Sequence, residues 1–153
     1  MPVKPDPRIE HGNEMRLIGL RQKHPFANLT TEIPKQWVAF KTEFELARKS
    51  AVTYGVICGV NQDGMEYMCG VEVSSLDAAP ANAGKLIVPN QKYAVFLHEG
   101  HISEICASWD TILHELMPAL KLEDAHTPSF ERYDHRYNPI SGIGAVEIWC
   151  PIQ

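Results

Sequence analysis

One carboxylate stands in the most apolar stretch of the second half of the chain. In Gly144–Pro151 (GAVEIWCP), Glu147 is flanked by Val146 and Ile148 and lies two residues from Trp149. Side chains alternate across a strand, so Val146, Ile148 and Cys150 share one face, and Ala145, Glu147, Trp149 and Pro151 share the other. The first set suits a helix-covered core, and the second points away from it. A tryptophan beside a partly buried carboxylate suits a flat or lipophilic cation. Each ring attracts such a charge by about 0.5–2 kcal/mol, and a desolvated carboxylate loses much if it stays unpaired. The blander reading is a solvent-facing glutamate on a one-sided sheet, next to a stray surface aromatic. Further aromatics shift the balance. Tyr67 shares a strand face with Cys69 and Val71, and Tyr54 and Trp37 are additional candidates for the walls. Unoccupied, Glu147 is expected to keep water beside it or to hold its proton at a raised pKa.

The elements that must position these residues are written twice in the same order. Glu14–His24 is strand-like and is closed by Pro25. A helix follows, with Thr31 as N-cap, Pro34 in the first turn, and Ile33, Trp37, Phe40, Phe44 and Ala47 at helical spacing. Two strand-like runs, Ala51–Val60 and Met65–Val73, flank a hairpin signal that ends in Asp63-Gly64. Small residues with a proline and a glycine mark a linker at about 76–84. Then Lys85–Gly100 is extended, broken or bulged at Pro89. A helix from about Ser103 carries Ile105, Trp109, Ile112, Leu113 and Leu116 on one face and ends near Pro118. Two last strands flank the turn at Asn138–Gly142. The expected fold is one α+β domain of two pseudo-symmetric strand–helix–strand–strand halves, about 14–75 and 85–153, each too small to bury a core alone.

Composition excludes several classes. The net charge of −5 comes without a Lys/Arg cluster denser than Arg48-Lys49, which argues against direct nucleic-acid binding. No apolar run is long enough to span a membrane, and residues 1–15 lack the apolar core of a signal peptide, so the expected location is the cytoplasm. Cys58, Cys69, Cys106 and Cys150 show no paired spacing and read as reduced core or pocket residues. His98 and His101 stand three apart across Gly100, not four apart on a helix, so no metal is expected. Ser141–Gly144 (SGIG) is not followed by a helix, and no serine sits in a nucleophile elbow; no cofactor is expected. Arg132–Tyr137 (RYDHRY) reads as a charged strand edge.

Three segments, Lys92–Gly100 (KYAVFLHEG), Pro128–Asp134 (PSFERYD) and Gly144–Ile152 (GAVEIWCPI), spaced around a helix, resemble the GyrI-like small-molecule-binding fold. That family includes the effector-binding domains of bacterial AraC-type and MerR-type regulators. Glu66–Val73 (EYMCGVEV) fits it as well, and the resemblance runs from about Met15 to Ile152. It implies a concave antiparallel sheet with helices on one side, and a cleft whose acidic residue meets cationic ligands. Glu147 matches that acidic position, and Tyr67 and Trp149 match aromatic ones; Trp37 and Tyr54 lie in looser matches. Two departures stand out. No helix-turn-helix is expected ahead of Glu14, and Cys150 replaces the usual branched residue. The implied function is a stand-alone receptor or sink for cationic, lipophilic or aromatic compounds, with a separate regulator chain or a homodimer as possible further partners. The alternatives are a hydrolase of strained-ring genotoxic compounds, with Glu147 as base and Tyr67 as proton donor, or a gyrase-inhibitor-like interaction protein.

Overall fold

The hairpin signal at residues 61–64 works through one side chain. Asn61 Oδ1 accepts from the backbone amides of Asp63 and Gly64 at 2.8 and 3.0 Å. This turns β3 (Thr53–Val60) back onto β4 (Gly64–Val73) in a computed structural model that describes residues 2–153. The other long strands are β2 (Met15–Pro25), β6 (Gln91–His101) and β9 (Ile143–Pro151). Shorter ones are β1 (Arg8–Gly12), β5 (Gly84–Val88), β7 (Ser129–Tyr133) and β8 (Tyr137–Asn138). All pair antiparallel, in the order β1-β6-β9-β7-β3-β4-β2-β5, with β8 against β9.

This order forces the sheet to curl. The extended run at 85–100 is two strands, β5 and β6, joined only by Pro89 and Asn90. Six strand spacings separate them in the sheet; laid flat that is about 29 Å, while three Cα steps reach at most about 11 Å. The sheet therefore bends until its two margins meet. Its inner face has a core of its own, in which Leu17, Val56, Met68, Val88, Tyr93, Val95 and Phe130 pack together without any helix.

The helices lie on the other face. A short 3-10 turn, Phe26–Asn28, leads into α1 (Leu29–Glu43), followed by α2 (Glu45–Lys49). Thr31 is thus inside the first turn, not its N-cap: its hydroxyl donates to the Asn28 carbonyl at 3.1 Å. Phe40, Phe44 and Ala47 bury against Ile18, Cys69 and Val71. In the second half α3 (Ile105–Thr111) runs into a π-helical turn, Ile112–Leu116, and a last short helix, α4 (Met117–Ala119). The wider turn shifts the helical phase, so Ile112 and Met117 enter the core while Leu113, expected on the packed face, is 44% exposed. The core under α3 includes Ala94, Phe96, Ile148 and Cys150. The alternation read for β9 therefore holds, with Ile148 and Cys150 toward the helices. Linker residues 76–84 include a 3-10 turn at Leu76–Ala78, begun by Ser75 Oγ accepting from the Asp77 amide at 3.2 Å. All four cysteines are free, and among the described residues no helix is long and apolar enough to cross a membrane.

Candidate functional site

α1 and α3 leave the middle of their sheet face uncovered. Between them opens a cleft of about 1270 Å³. Its walls come from Ile33, Trp37 and Lys41 of α1 and from the entry to α3, including His101, Ile105 and Cys106. The floor is Thr53, Tyr67, Glu131 and Tyr133, from three adjacent strands, β3, β4 and β7. Tyr137 and Pro139 also line it.

Glu131 is the centre of this floor. Along β7, Ser129, Glu131 and Tyr133 alternate with Phe130 and Arg132, so the carboxylate faces the helices while its neighbours face the inner core. Only 5% of Glu131 is exposed. Its Oε1 accepts from the hydroxyls of Tyr67 and Tyr133, both at 2.7 Å, and its Oε2 accepts from Trp109 Nε1 at 2.8 Å. All three donors are neutral, and among the described residues no basic group comes within ion-pair distance of it. Burial pushes its pKa up, against the pull of the three hydrogen bonds. The Tyr67 and Tyr133 hydroxyls are pushed up as well, first by burial and then by the charge they hold.

Reaching Glu131 from β4 requires Tyr67 to cross β3, and Gly55 permits it. A β-carbon at Gly55 would collide with the Tyr67 hydroxyl and lie 2.8 Å from Glu131 Oε1. Trp37 completes the wall. Its Nε1 donates to the Tyr67 hydroxyl at 3.2 Å, and its ring meets Tyr133 edge-on with centroids 5.1 Å apart. Tyr137 meets the far side of Tyr133 at 5.1 Å. The arrangement offers an aromatic slot floored by one unneutralised carboxylate, which is complementary to a flat or lipophilic cation.

Of the five residues read from the sequence, this cleft collects two, Tyr67 and Trp37. Glu147, Trp149 and Tyr54 lie on the opposite, inner face. Tyr54 packs in the inner core against Phe130, and Trp149 stacks on Phe130 at 5.3 Å. Glu147 is 5% exposed, but the protein supplies its cations. Arg8 and Arg136 reach its Oε2 at 3.0 and 3.1 Å, Arg132 lies 3.7 Å from Oε1, and Trp149 Nε1 donates to Oε1 at 3.1 Å. Burial raises the Glu147 pKa, but hydrogen bonds from Arg8, Trp149 and Arg136 outweigh it, and the net shift is downward. The expected vacancy beside Glu147 and its raised pKa are both corrected on this ground. The arginines come from Arg132 and Arg136 of the charged segment after Phe130, and from Arg8 of a strand with no strong sequence pattern.

The sequence reading passes over Glu131, because the charged run that follows it, RYDHRY, reads as a strand edge. The signal was present one residue earlier: in Phe-Glu-Arg-Tyr, alternation sets Glu131 and Tyr133 on one face, opposite Phe130.

Comparison with known proteins agrees with this architecture. The sequence pattern of the GyrI-like small molecule binding domain matches residues 5–153. The transcriptional regulator BrlR of Pseudomonas aeruginosa is 34% identical over 125 residues, covering 78% of this chain and 46% of BrlR; the chain thus spans about half of that relative's length. Among solved structures, SAV2435 bound to tetraphenylphosphonium superposes with a TM-score of 0.76 at 19% identity, over 97% of this chain and 94% of that one. An integron cassette protein from the mobile metagenome of Vibrio cholerae gives 0.71 at 17% identity, over 95% of each chain.

Proposed function

This chain belongs to the family of GyrI-like small-molecule-binding domains, and from that premise we propose that its cleft receives lipophilic aromatic cations, with Glu131 as their counter-charge. The observation that carries this reading is the buried carboxylate held by three neutral donors, with no cation at it among the described residues. Tyrosine and tryptophan donors fix its oxygens in place without cancelling its charge. A cation entering between Trp37, Tyr67, Tyr133 and Tyr137 gains both the carboxylate and the ring faces, in a site that is already desolvated. Support also comes from the solved structure of SAV2435, which has the same fold and is bound to tetraphenylphosphonium. A receptor role suits the geometry better than hydrolysis, because both oxygens of Glu131 are pinned by donors, which disfavours a general base that must pick up a proton. Glu147, Trp149 and Tyr54 take no part, since they face the inner core.

Calorimetric titration with tetraphenylphosphonium and with neutral triphenylphosphine oxide tests the reading. Glu131→Gln is expected to weaken the cation at least about tenfold, about 1.4 kcal/mol, and to leave the oxide nearly unchanged. An equal loss for both, or no binding of the cation by the wild type, would sink it.

A further inference from the structure

The cleft also holds a positive charge without a partner. Lys41, near the end of α1, lines it and is half-buried, yet its ammonium makes no hydrogen bond or ion pair among the described residues. Lysines of this kind ordinarily snorkel into water or find a carboxylate. The neighbouring Arg48 is committed otherwise, donating to the carbonyls of Lys41 and Thr42 at 2.6 and 3.1 Å, so it closes the helix end and adds to the same positive patch. The second acidic residue of the lining, Asp134, offers nothing to Lys41, because Arg132 and Arg136 already hold it at 2.9 and 2.8 Å. The unneutralised charges of the lining therefore have both signs: Glu131 on the floor, and Lys41 on the α1 wall with Arg48 beside it. Burial pushes the pKa of the buried Cys69 thiol up, Glu131 pushes it further, and Lys41 pulls it back.

A ligand with only a positive charge would satisfy Glu131 and be repelled by Lys41 and Arg48. From this arrangement we propose that the preferred ligand is amphoteric: an aromatic cation that also carries an anionic group, such as a carboxylate, paired with Lys41. The inference rests on the cation reading of the cleft and narrows its ligand class.

Rhodamine B and its ethyl ester share one cationic ring system and differ by one carboxylate, so they separate the two ideas. Their dissociation constants are measured by fluorescence polarisation on wild type, Lys41→Gln, Lys41→Arg and Glu131→Gln, each first checked for an unchanged melting transition. The wild type is expected to prefer rhodamine B. Lys41→Gln should weaken rhodamine B about fivefold or more and leave the ester within about twofold, while Lys41→Arg keeps the preference. No preference in the wild type, or an equal change for both dyes in Lys41→Gln, would overturn the amphoteric ligand. In that case, ester binding that still depends on Glu131 would leave the cation reading standing. If neither dye binds the wild type while tetraphenylphosphonium does, the amphoteric ligand falls alone; if none of the three binds, both readings fall.

Discussion

At the scale of single residues, Gly55 governs the site without touching a ligand. It lies under the hydrogen bond between Tyr67 and Glu131, and a methyl group there displaces the tyrosine hydroxyl. Gly55→Ala is expected to destabilise the fold by about 1–3 kcal/mol through overpacking and to weaken tetraphenylphosphonium binding along with it, read by denaturant titration and calorimetry. Glu131 brings a pH dependence. Its folded pKa is raised above the unfolded value, mainly by burial. The folded state therefore holds that proton more tightly, a stabilisation present at low pH and lost as pH rises through the raised value. Cation affinity runs the other way, because only the ionised form is a counter-charge. Binding should fade as pH drops through a midpoint above the ordinary carboxylate range, and Glu131→Gln should flatten the profile. A profile that falls only below the ordinary carboxylate range would refute the assignment. Tyr67 and Trp37, expected from the sequence as wall aromatics, both line the cleft. The choice between two glutamates was not, because Glu147 and Glu131 both sit in alternating strands beside aromatics, and only the arriving arginines tell them apart.

At the scale of elements, the helices and long strands follow from local pattern, while the short margins do not. β1 and β5 are five residues each and take their conformation from their partners, β6 and β2. That matters for Glu147, since Arg8 arrives on β1, reaching the carboxylate and lying 5.4 Å from the Trp149 ring. Glu147→Gln should cost about 1–3 kcal/mol by leaving charged donors without their acceptor, yet leave tetraphenylphosphonium affinity unchanged; chemical denaturation and calorimetry on one variant read both. The Glu147 pKa is lowered, so its contribution is present above the unfolded value and is lost as pH falls through the depressed one. The variant's stability deficit should accordingly shrink in acid. The π-helical turn escaped the sequence for a related reason: Ile112 and Leu113 are both apolar, and periodicity alone does not say which one faces inward.

At the scale of the molecule, the concave sheet follows from the family resemblance and not from pattern reading, because the curl arises from strand order and from the two-residue link between distant strands. The cleft lies across the seam between β3 and β7, and Glu131 of β7 is bonded by Tyr67 of β4 and by Trp109 of α3. We propose that 14–75 and 85–153 act as halves of one core. A protease site cut open at Ala81–Asn82, in the loop ahead of β5, should then give two pieces that co-elute in native gel filtration and part only in denaturant. Separate elution without denaturant would refute a shared core.

The position of β9 has a consequence for the order of events in assembly. It lies between β6 and β7, both of which leave the ribosome before it. Until β9 is made, β6 has only β1 beside it and β7 has only β3. The core under α3 meanwhile lacks Ile148 and Cys150. The nascent chain thus carries an open slot edged by two half-paired strands, which β9 must fill ahead of any competitor, and chaperone dependence during synthesis should concentrate in that interval.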